Sequence, residues 1–479
     1  MNEENDRKRG SGPVRWFLAS IGSLKLAVVL LTVYAVVVGW ATLIDNRYGA
    51  TAVAWGIYRS GWFTALNSLL GLNVLTSAIM RFPWRRRHLG FLMTHAGILL
   101  LLVGAAVTWQ GGVDGVTGIF EGKSSSRIIT DQRELVVTIN GDGTDAISEQ
   151  IPIDPGPFSW SMLRDTGTDD ALGTLPWRLS DRGQPRTVCH DGQIRVELLD
   201  WLAQVTLEPV GDTDSPDKTT RENESDNPGV MPQWAMPSRS PVPISVTIRP
   251  VPFPGESTTR ADREAWMDRG LRAAKFRVRY GSEIENFQDI WLLLDESESA
   301  KFRRMAGDSL TSENFADAEV VERVRYTSPL TPEMTTRTLS FGDRTVTISL
   351  RSRDADVGFG VRLHRFDRRF TPGSSQASYY ASRIDLLEPD GSMAAVDQQI
   401  SMNEPLEFRG TRLFQTSWRG PWAPGHPFFD AIEPIDSDAD ALYMTVLSAS
   451  RDPGAGWKYA GSLLLLVGMT MVFVRKLKR

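Results

Sequence analysis

Two kinds of hydrophobic pattern divide this chain. Near its ends lie continuous apolar runs: Ser23 to Ile44, uncharged apart from Lys25; Gly61 to Met80, with Asn67 and Asn73 inside; Leu89 to Trp109; and Trp457 to Val474, interrupted only by Lys458. Each supplies roughly the twenty residues a helix needs to cross about 30 Å of hydrocarbon, so four transmembrane helices are expected. The first run is too long for a signal-peptide core and reads as a retained span. Between the third and fourth runs the pattern changes to short alternating or β-branched stretches bounded by Gly, Pro, Asp and Asn: Glu134–Ile139, Ile194–Leu199, Ile244–Arg249, Arg344–Leu350 and Gly358–Phe366. These predict a large, mainly antiparallel β domain rather than βαβ units. Ala, Arg and Glu content predicts one helix over Ala261–Phe276. Glu208–Ser240, rich in Pro, Asp and Ser, reads as a long solvated excursion.

Charge sets the expected orientation. Arg7, Lys8, Arg9 and Arg15 precede the first run, Arg81 and Arg85–Arg87 separate the second and third, and Arg475, Lys476, Lys478 and Arg479 follow the fourth. Four spans place all three basic segments on one side, which the positive-inside rule makes cytoplasmic. The expected layout in a cytoplasmic (inner) membrane has five parts. Residues 1–22 form a basic cytoplasmic N-terminus, and 23–110 hold three spans, at about 23–44, 61–80 and 89–109. An extracytoplasmic β-rich domain over 111–456 follows, then a fourth span over 457–474 and a basic cytoplasmic tail over 475–479. The formal net charge of -5 over 479 residues gives no electrostatic case for nucleic-acid binding. A single cysteine, Cys189, excludes an internal disulfide framework and a dithiol motif, so any thiol chemistry comes from another chain.

The β domain offers little catalytic chemistry. It has no H-E-x-x-H, Walker loop, C-x-x-C or G-x-S-x-G. Asp436, Asp438 and Asp440 have the opening spacing of a calcium loop, but Ala441 replaces the turn glycine and Leu447 stands where the bidentate Glu belongs, which leaves a solvated acidic turn. Cys189 and His190 alone make a poor metal site. His364, opposite Phe359, Val361 and Leu363 in alternation, reads as a polar-face or edge histidine, and His426 as a loop residue.

The unusual residue is His95, six positions into the third run and so roughly 9 Å from its start. Ionisable groups at that depth are costly and face protein, a cavity or a cofactor. Gly90, Thr94, Gly97 and Gly104 form a small-residue stripe suited to close helix approach. His95 lies about 140° away, with Leu99, Leu102 and Ala106. That face suits a haem, whose iron takes axial histidine; the alternative is an imidazole that bonds a neighbouring carbonyl. His88, among arginines at the interface, could meet propionates or lipid phosphates but is about 10 Å away along the axis, too far to share one iron with His95 from the same side.

Several stretches stand out together: Trp62–Phe63 through Asn73 and Arg81-Phe-Pro; Gly90-Phe-Leu-Met-Thr-His-Ala-Gly; Gly118-Ile-Phe-Glu-Gly; Gly358-Phe-Gly-Val-Arg-Leu with Phe366 and Thr371-Pro-Gly-Ser; Asn403-Glu-Pro-Leu-Glu-Phe-Arg-Gly-Thr-Arg-Leu-Phe-Gln-Thr-Ser-Trp; and Asp452-Pro-Gly leading to Lys458-Tyr-Ala-Gly. In this order they resemble the ResB family, also called CcsB, of the type II cytochrome c maturation system. The resemblance implies a non-catalytic or accessory subunit of a cytochrome c haem lyase complex. Such a subunit works with a CcsA/ResC-like membrane partner, moves haem b outward and presents it for thioether attachment to apocytochrome c, while a thiol-disulfide reductant protein keeps the cysteines reduced. It carries the family's transmembrane histidine onto His95 as one axial ligand of a transient haem shared with the partner. The chain has no W-G-x-x-W-x-W-D-like segment, and Thr76 and Ser77 stand where members often have a cysteine. Competing classes are a membrane-anchored assembly scaffold with no cofactor and a transporter subunit for another lipid-soluble substrate; a transporter would be expected to carry more polar groups or broken helices at mid-membrane.

Overall fold

A computed structural model describes residues 13–141, 144–164, 183–191, 194–209, 246–252, 259, 262, 266, 270–281, 286–296, 300–302, 304–305, 332–342, 344–374, 377–426, 429 and 440–477. The chain divides into two compact units, Met1–Gly112 with Arg451–Arg479, and Val113–Ser450.

The first unit is helical: α1 (Pro13–Ile21), α2 (Leu24–Tyr48), α3 (Gly61–Ile79), α4 (Leu89–Gly111) and α5 (Ala455–Leu477), with a short helical stretch from Ala50 to Tyr58 between α2 and α3. Four helices, α2 to α5, are long and apolar enough to cross a membrane, α4 being extended by the turn at Arg86–His88. Ser23 and Ser60 cap α2 and α3, accepting from Leu26 N and Phe63 N at 3.3 Å each. Asn73, buried in α3, is satisfied by the α1–α2 turn: its Nδ2 donates to the carbonyls of Ile21 at 2.5 Å and Ser23 at 3.2 Å. A primary amide in an apolar helix needs such acceptors, because a lost partner there leaves an unsatisfied donor.

The tightest seam joins α4 to α5. Gly90, Gly97 and Gly104 on α4 meet Gly468, Gly461 and Gly454 on or just before α5, every row spaced by seven residues. A Cβ on Gly97 would stand 2.6 Å from Leu465 N and 2.7 Å from the Gly461 carbonyl oxygen; one on Gly468 would stand 2.5 Å from Thr94 N. Any side chain at these positions would hold the backbones apart. The pairing runs antiparallel, and the seven-residue repeat keeps both rows in register. Beyond the last glycine pair, Asp452 accepts from Thr108 Oγ1 (2.5 Å) and Lys458 Nζ (2.5 Å), so its charge and the Lys458 ammonium satisfy one another at the end of the seam.

The second unit is built of antiparallel strands: β1 (Val113–Phe120), β2 (Ser124–Gly141), β3 (Thr144–Ile153), β4 (Arg186–Asp191), β5 (Ile194–Leu202), β6 (Val205–Pro209), β7 (Val246–Pro250), β8 (Leu271–Tyr280), β9 (Phe287–Asp295), β10 (Thr336–Phe341), β11 (Arg344–Phe370), β12 (Ala377–Leu387), β13 (Met393–Ser401), β14 (Leu406–Phe408), β15 (Thr411–Trp422) and β16 (Leu442–Arg451). The main sheet runs β13-β12-β11-β2-β1-β16-β15-β14, with β3 and β10 added at β2 and β11. It curls until β13 packs against β14 and β15. Alternation sends one set of side chains inside the curl (Ile119, Ile128, Phe359, Val361, Leu363, Ile384, Leu413, Leu447). Their neighbours Phe120, Ile129 and Val446 face the other way, onto Phe302 and Met305.

The two sequence segments Arg344–Leu350 and Gly358–Phe366 turn out to be halves of one 27-residue strand, β11, which carries Gly358 at φ +81°. The expected helix over Ala261–Phe276 is corrected in its second half: Asp262 and Trp266 are helical, but Leu271–Phe276 belongs to strand β8. Its Ala and Arg content favours helix locally, but pairing with β5 and β9 buries Ala274, Phe276 and Val278 together, and tertiary packing overrides propensity. Glu208–Ser240 lies almost wholly outside the described residues, as do Asp436 and Asp438. A second sheet, β4-β5-β8-β9, is tied to the first by an ion cluster. Glu296 accepts from Arg133 at 2.7 and 2.8 Å and also from Arg272, all three being largely buried. Burial alone would raise the Glu296 pKa, but Arg133 and Arg272 outweigh it and hold the carboxyl below its usual range.

Candidate functional site

His95 sits on α4 away from the glycine seam. Its Nδ1 lies 3.0 Å from the carbonyl oxygen of Phe91, one turn earlier. A carbonyl cannot donate, so Nδ1 carries the proton and the neutral ring keeps its lone pair on Nε2. This is the second-sphere arrangement that fixes tautomer and ring orientation in metal-ligating histidines, with a backbone carbonyl as partner. The two sequence alternatives, a bond to a carbonyl and a bond to iron, therefore use different nitrogens and do not compete. The residues present fit an iron ligand.

The ring also packs on Phe91, the two planes tilted by 40°. Its centroid lies 3.7 Å from that of Phe91, whose other surroundings include the Arg81 guanidinium, 3.8 Å from the ring centroid. Arg81, Phe91 and His95 thus form a column that brings a fixed cation to the imidazole end of α4. Arg81 was legible only as a topology signal; its stacking depends on the α3–α4 turn. On the same side of α4, Gly71 of α3 leaves room for Leu102, 3.3 Å from where a Cβ would stand. His88 is half-buried, with its nitrogens 3.4 Å from Arg85 N and 3.2 Å from Arg87 Nε; it belongs to the basic cluster and is not brought to His95.

In the β unit, His364 is more than an edge residue. It occupies a bulge, since Leu363 pairs with Ile384 and Arg365 with Arg383, leaving His364 as the extra residue. Its Nε2 lies 2.5 Å from Oδ2 of Asp385, which is 1 % exposed and accepts from Asp397 N at 2.9 Å through its other oxygen. Sequence reading missed this pair because Asp385 comes from the next strand. Glu121, in Gly118-Ile-Phe-Glu-Gly, accepts from Phe366 N at 2.8 Å and Tyr443 N at 3.1 Å, which clamps β11 and β16 together. Burial raises its pKa against the lowering effect of those two donors. Cys189 is buried, with Sγ 3.5 Å from Glu149 Oε2, and His426 stacks near Trp422. Among the described residues no group of three or more His, Cys, Asp or Glu could hold a metal ion.

Residues 333–428 match the profile of the ResB-like family. Over that stretch the chain is similar to the ResB-like family. The matched stretch covers β10 to β15 and includes the His364–Asp385 pair. Protein NrfI of Wolinella succinogenes is 22% identical over 452 residues, 94% of this chain and 34% of NrfI. The cytochrome c biogenesis protein CcsB of Prochlorococcus marinus is 27% identical over 110 residues, 22% of this chain and 25% of CcsB. The chain therefore spans about a third of the length of NrfI, and its match to CcsB covers a quarter of that protein.

Proposed function

We propose that this ResB-like chain acts in cytochrome c maturation as a membrane-embedded subunit that binds haem b as cargo and passes it on for attachment to apocytochrome c. The observation that carries the reading is His95: an imidazole about 9 Å inside an apolar helix, its Nδ1 occupied by the Phe91 carbonyl and its Nε2 lone pair left for iron. The likeness to a protein named for cytochrome c biogenesis supports the same direction.

In this reading α2 to α5 cross the cytoplasmic membrane with both termini inside, and the β unit lies outside. His95 would hold the haem iron through Nε2 near the cytoplasmic side, and a CcsA/ResC-like partner would supply a second ligand. Arg81, with Arg85–Arg87 and His88, faces propionates or lipid phosphates. The glycine seam holds α4 against α5 on the side away from His95. The chain's contribution is positioning, since thioether formation requires reduced haem and reduced cysteines held close together. A thiol-disulfide reductant protein keeps those cysteines reduced.

The test is a visible spectrum of the complex purified with its partner from haem-replete cells. A Soret band that is lost in His95→Ala and returns with added imidazole is the expected result. A band indifferent to the substitution removes His95 as ligand, and the absence of any band in the unaltered complex favours a scaffold without a cofactor.

A further inference from the structure

The basic turn between α3 and α4 is built into one face by contacts from outside it. Trp84 Nε1 donates to the Ala78 carbonyl at 3.0 Å, which ties the turn to the end of α3. Arg475, in the last turn of α5, donates through Nη1 to the Arg87 carbonyl at 2.8 Å, across 388 residues of sequence. Arg81, Arg85, Arg87 and Arg475 all stand close enough to His88 to act on it electrostatically. Arg86 on the turn and Lys476 on α5 add to the same end. No acid answers this charge. Among the described residues the helical unit holds two carboxylates, Asp45 near the far end of α2 and Asp452 ahead of α5. Each is more than twenty residues, or roughly 30 Å at 1.5 Å per residue, along its helix from the basic end. That is several times the Debye length of about 8 Å at physiological salt.

Like charges gathered without a counter-charge draw anions from outside. Guanidiniums suit phosphate in particular, because their forked donors match its oxygens. Arg81 is occupied by the Phe91 ring, which leaves Arg85, Arg86, Arg87, Arg475 and Lys476, more cations than a pair of propionates would need. Apolar surface lies beside them. Phe82 and Trp84, 72 % and 52 % exposed, stand edge to face on the turn with centroids 5.7 Å apart. Trp16 and Phe17 of α1 are exposed as well, where the end of α1 packs on the last turns of α3 through Ile21 and Gly22. Rings and arginines side by side at the end of apolar helices match the level where lipid headgroups meet acyl chains.

We infer that this face binds an anionic phospholipid whose headgroup carries two phosphates, with Arg85, Arg87 and Arg475 on the phosphates and Phe82 and Trp84 against the acyl chains. The inference rests on the membrane-embedded part of the reading above and on nothing that concerns haem. Two phosphates rather than one follow from the two sources of charge, the turn and the end of α5, which the Arg475–Arg87 hydrogen bond holds side by side.

The experiment uses the full-length chain, delipidated in detergent, and counts bound lipid by native mass spectrometry. Two probes are titrated at matched phosphate: tetraoleoyl cardiolipin, with two phosphates, and dioleoyl phosphatidylglycerol, with one. Cardiolipin is expected to bind about tenfold or more tightly. Arg85→Gln, Arg87→Gln and Arg475→Gln combined should bring it down to the affinity of phosphatidylglycerol, and Trp84→Leu should weaken both lipids. Arg451→Gln, ahead of the other end of α5, should change neither. Equal affinity of the two lipids for the unaltered chain overturns the proposal. So does a preference that survives the triple substitution with unchanged far-ultraviolet circular dichroism, or one that Arg451→Gln removes as well. If the triple variant does not fold, Arg85→Gln alone, at an exposed side chain, should lower the cardiolipin preference about threefold, and no loss there overturns the proposal too. A chain that carbonate washes from membranes fails the membrane-embedded reading itself, whereas a retained chain without the preference fails this inference alone. No haem enters these titrations, so the Soret test of His95 stands or falls separately.

Discussion

Replacing Gly97 by alanine adds one methyl group at the tightest point of the α4–α5 seam. Its carbon would lie 2.6 Å from Leu465 N and 2.7 Å from the Gly461 carbonyl oxygen, both backbone atoms that cannot rotate away. Restoring an ordinary 3.4 Å contact requires about 0.8 Å of separation between the helices. A gap of that size forfeits about a quarter to a half of each dispersion contact, and roughly thirty atom pairs at about 0.1–0.2 kcal/mol each then lose about 1–3 kcal/mol. That agrees with the usual cost of overpacking, about 1–3 kcal/mol. Bulkier Gly97→Val should cost more. The assay is the folded fraction of the purified chain across a series of SDS mole fractions in mixed micelles, read by tryptophan emission. Val103→Ala, on an exposed face of α4, serves as control. A midpoint for Gly97→Ala no lower than that of the control would mean that the glycines are not the contact that holds these helices together.

Four further outcomes follow from the ion pairs and the buried acid. Glu296→Ala leaves Arg133 and Arg272 buried without their shared acid and should cost about 3–5 kcal/mol in denaturant unfolding; a loss under about 1 kcal/mol would show that the cluster is not desolvated. Because its pKa is lowered, the contribution of Glu296 is present above the ordinary carboxylate range and lost as pH falls through its folded value, so acid unfolding of Glu296→Ala should be less steep. Asp452 is likewise held below its usual range, by Lys458 first and then Thr108; Asp452→Asn should lower stability at neutral pH, and its difference from the parent should shrink on acidification below the ordinary range. Glu121 has the opposite sign: its pKa is raised by burial, so the folded chain takes up the proton more readily and gains stability as pH falls from neutral towards the ordinary range. Glu121→Gln should abolish that gain, which urea midpoints at a series of pH values would measure.

Much of the helical unit was written into the chain locally. A helix of period 3.6 turns Gly90, Gly97 and Gly104 into one stripe whatever surrounds them, so a packing face opposite His95 could be read before its partner was known. What the stripe packs against was not legible from α4 alone. Gly454, Gly461 and Gly468 lie some 350 residues away, and only the folded chain joins the two rows.

The β unit yielded less. Alternation marked its strands, because burial on one face of a sheet imposes a period of two on the sequence itself. Leu271–Phe276 was misread because its side chains favour helix and only β5 and β9 decide otherwise. His364 looked like an edge residue because its meaning lies in a bulge and in Asp385 on the neighbouring strand. Sequence by itself determined the four apolar helices, the sheet-forming middle and the place of His95, since each follows from contacts between near neighbours. Tertiary structure alone decided which glycines meet and which acid and base groups share a site, because those depend on residues that only folding brings within reach.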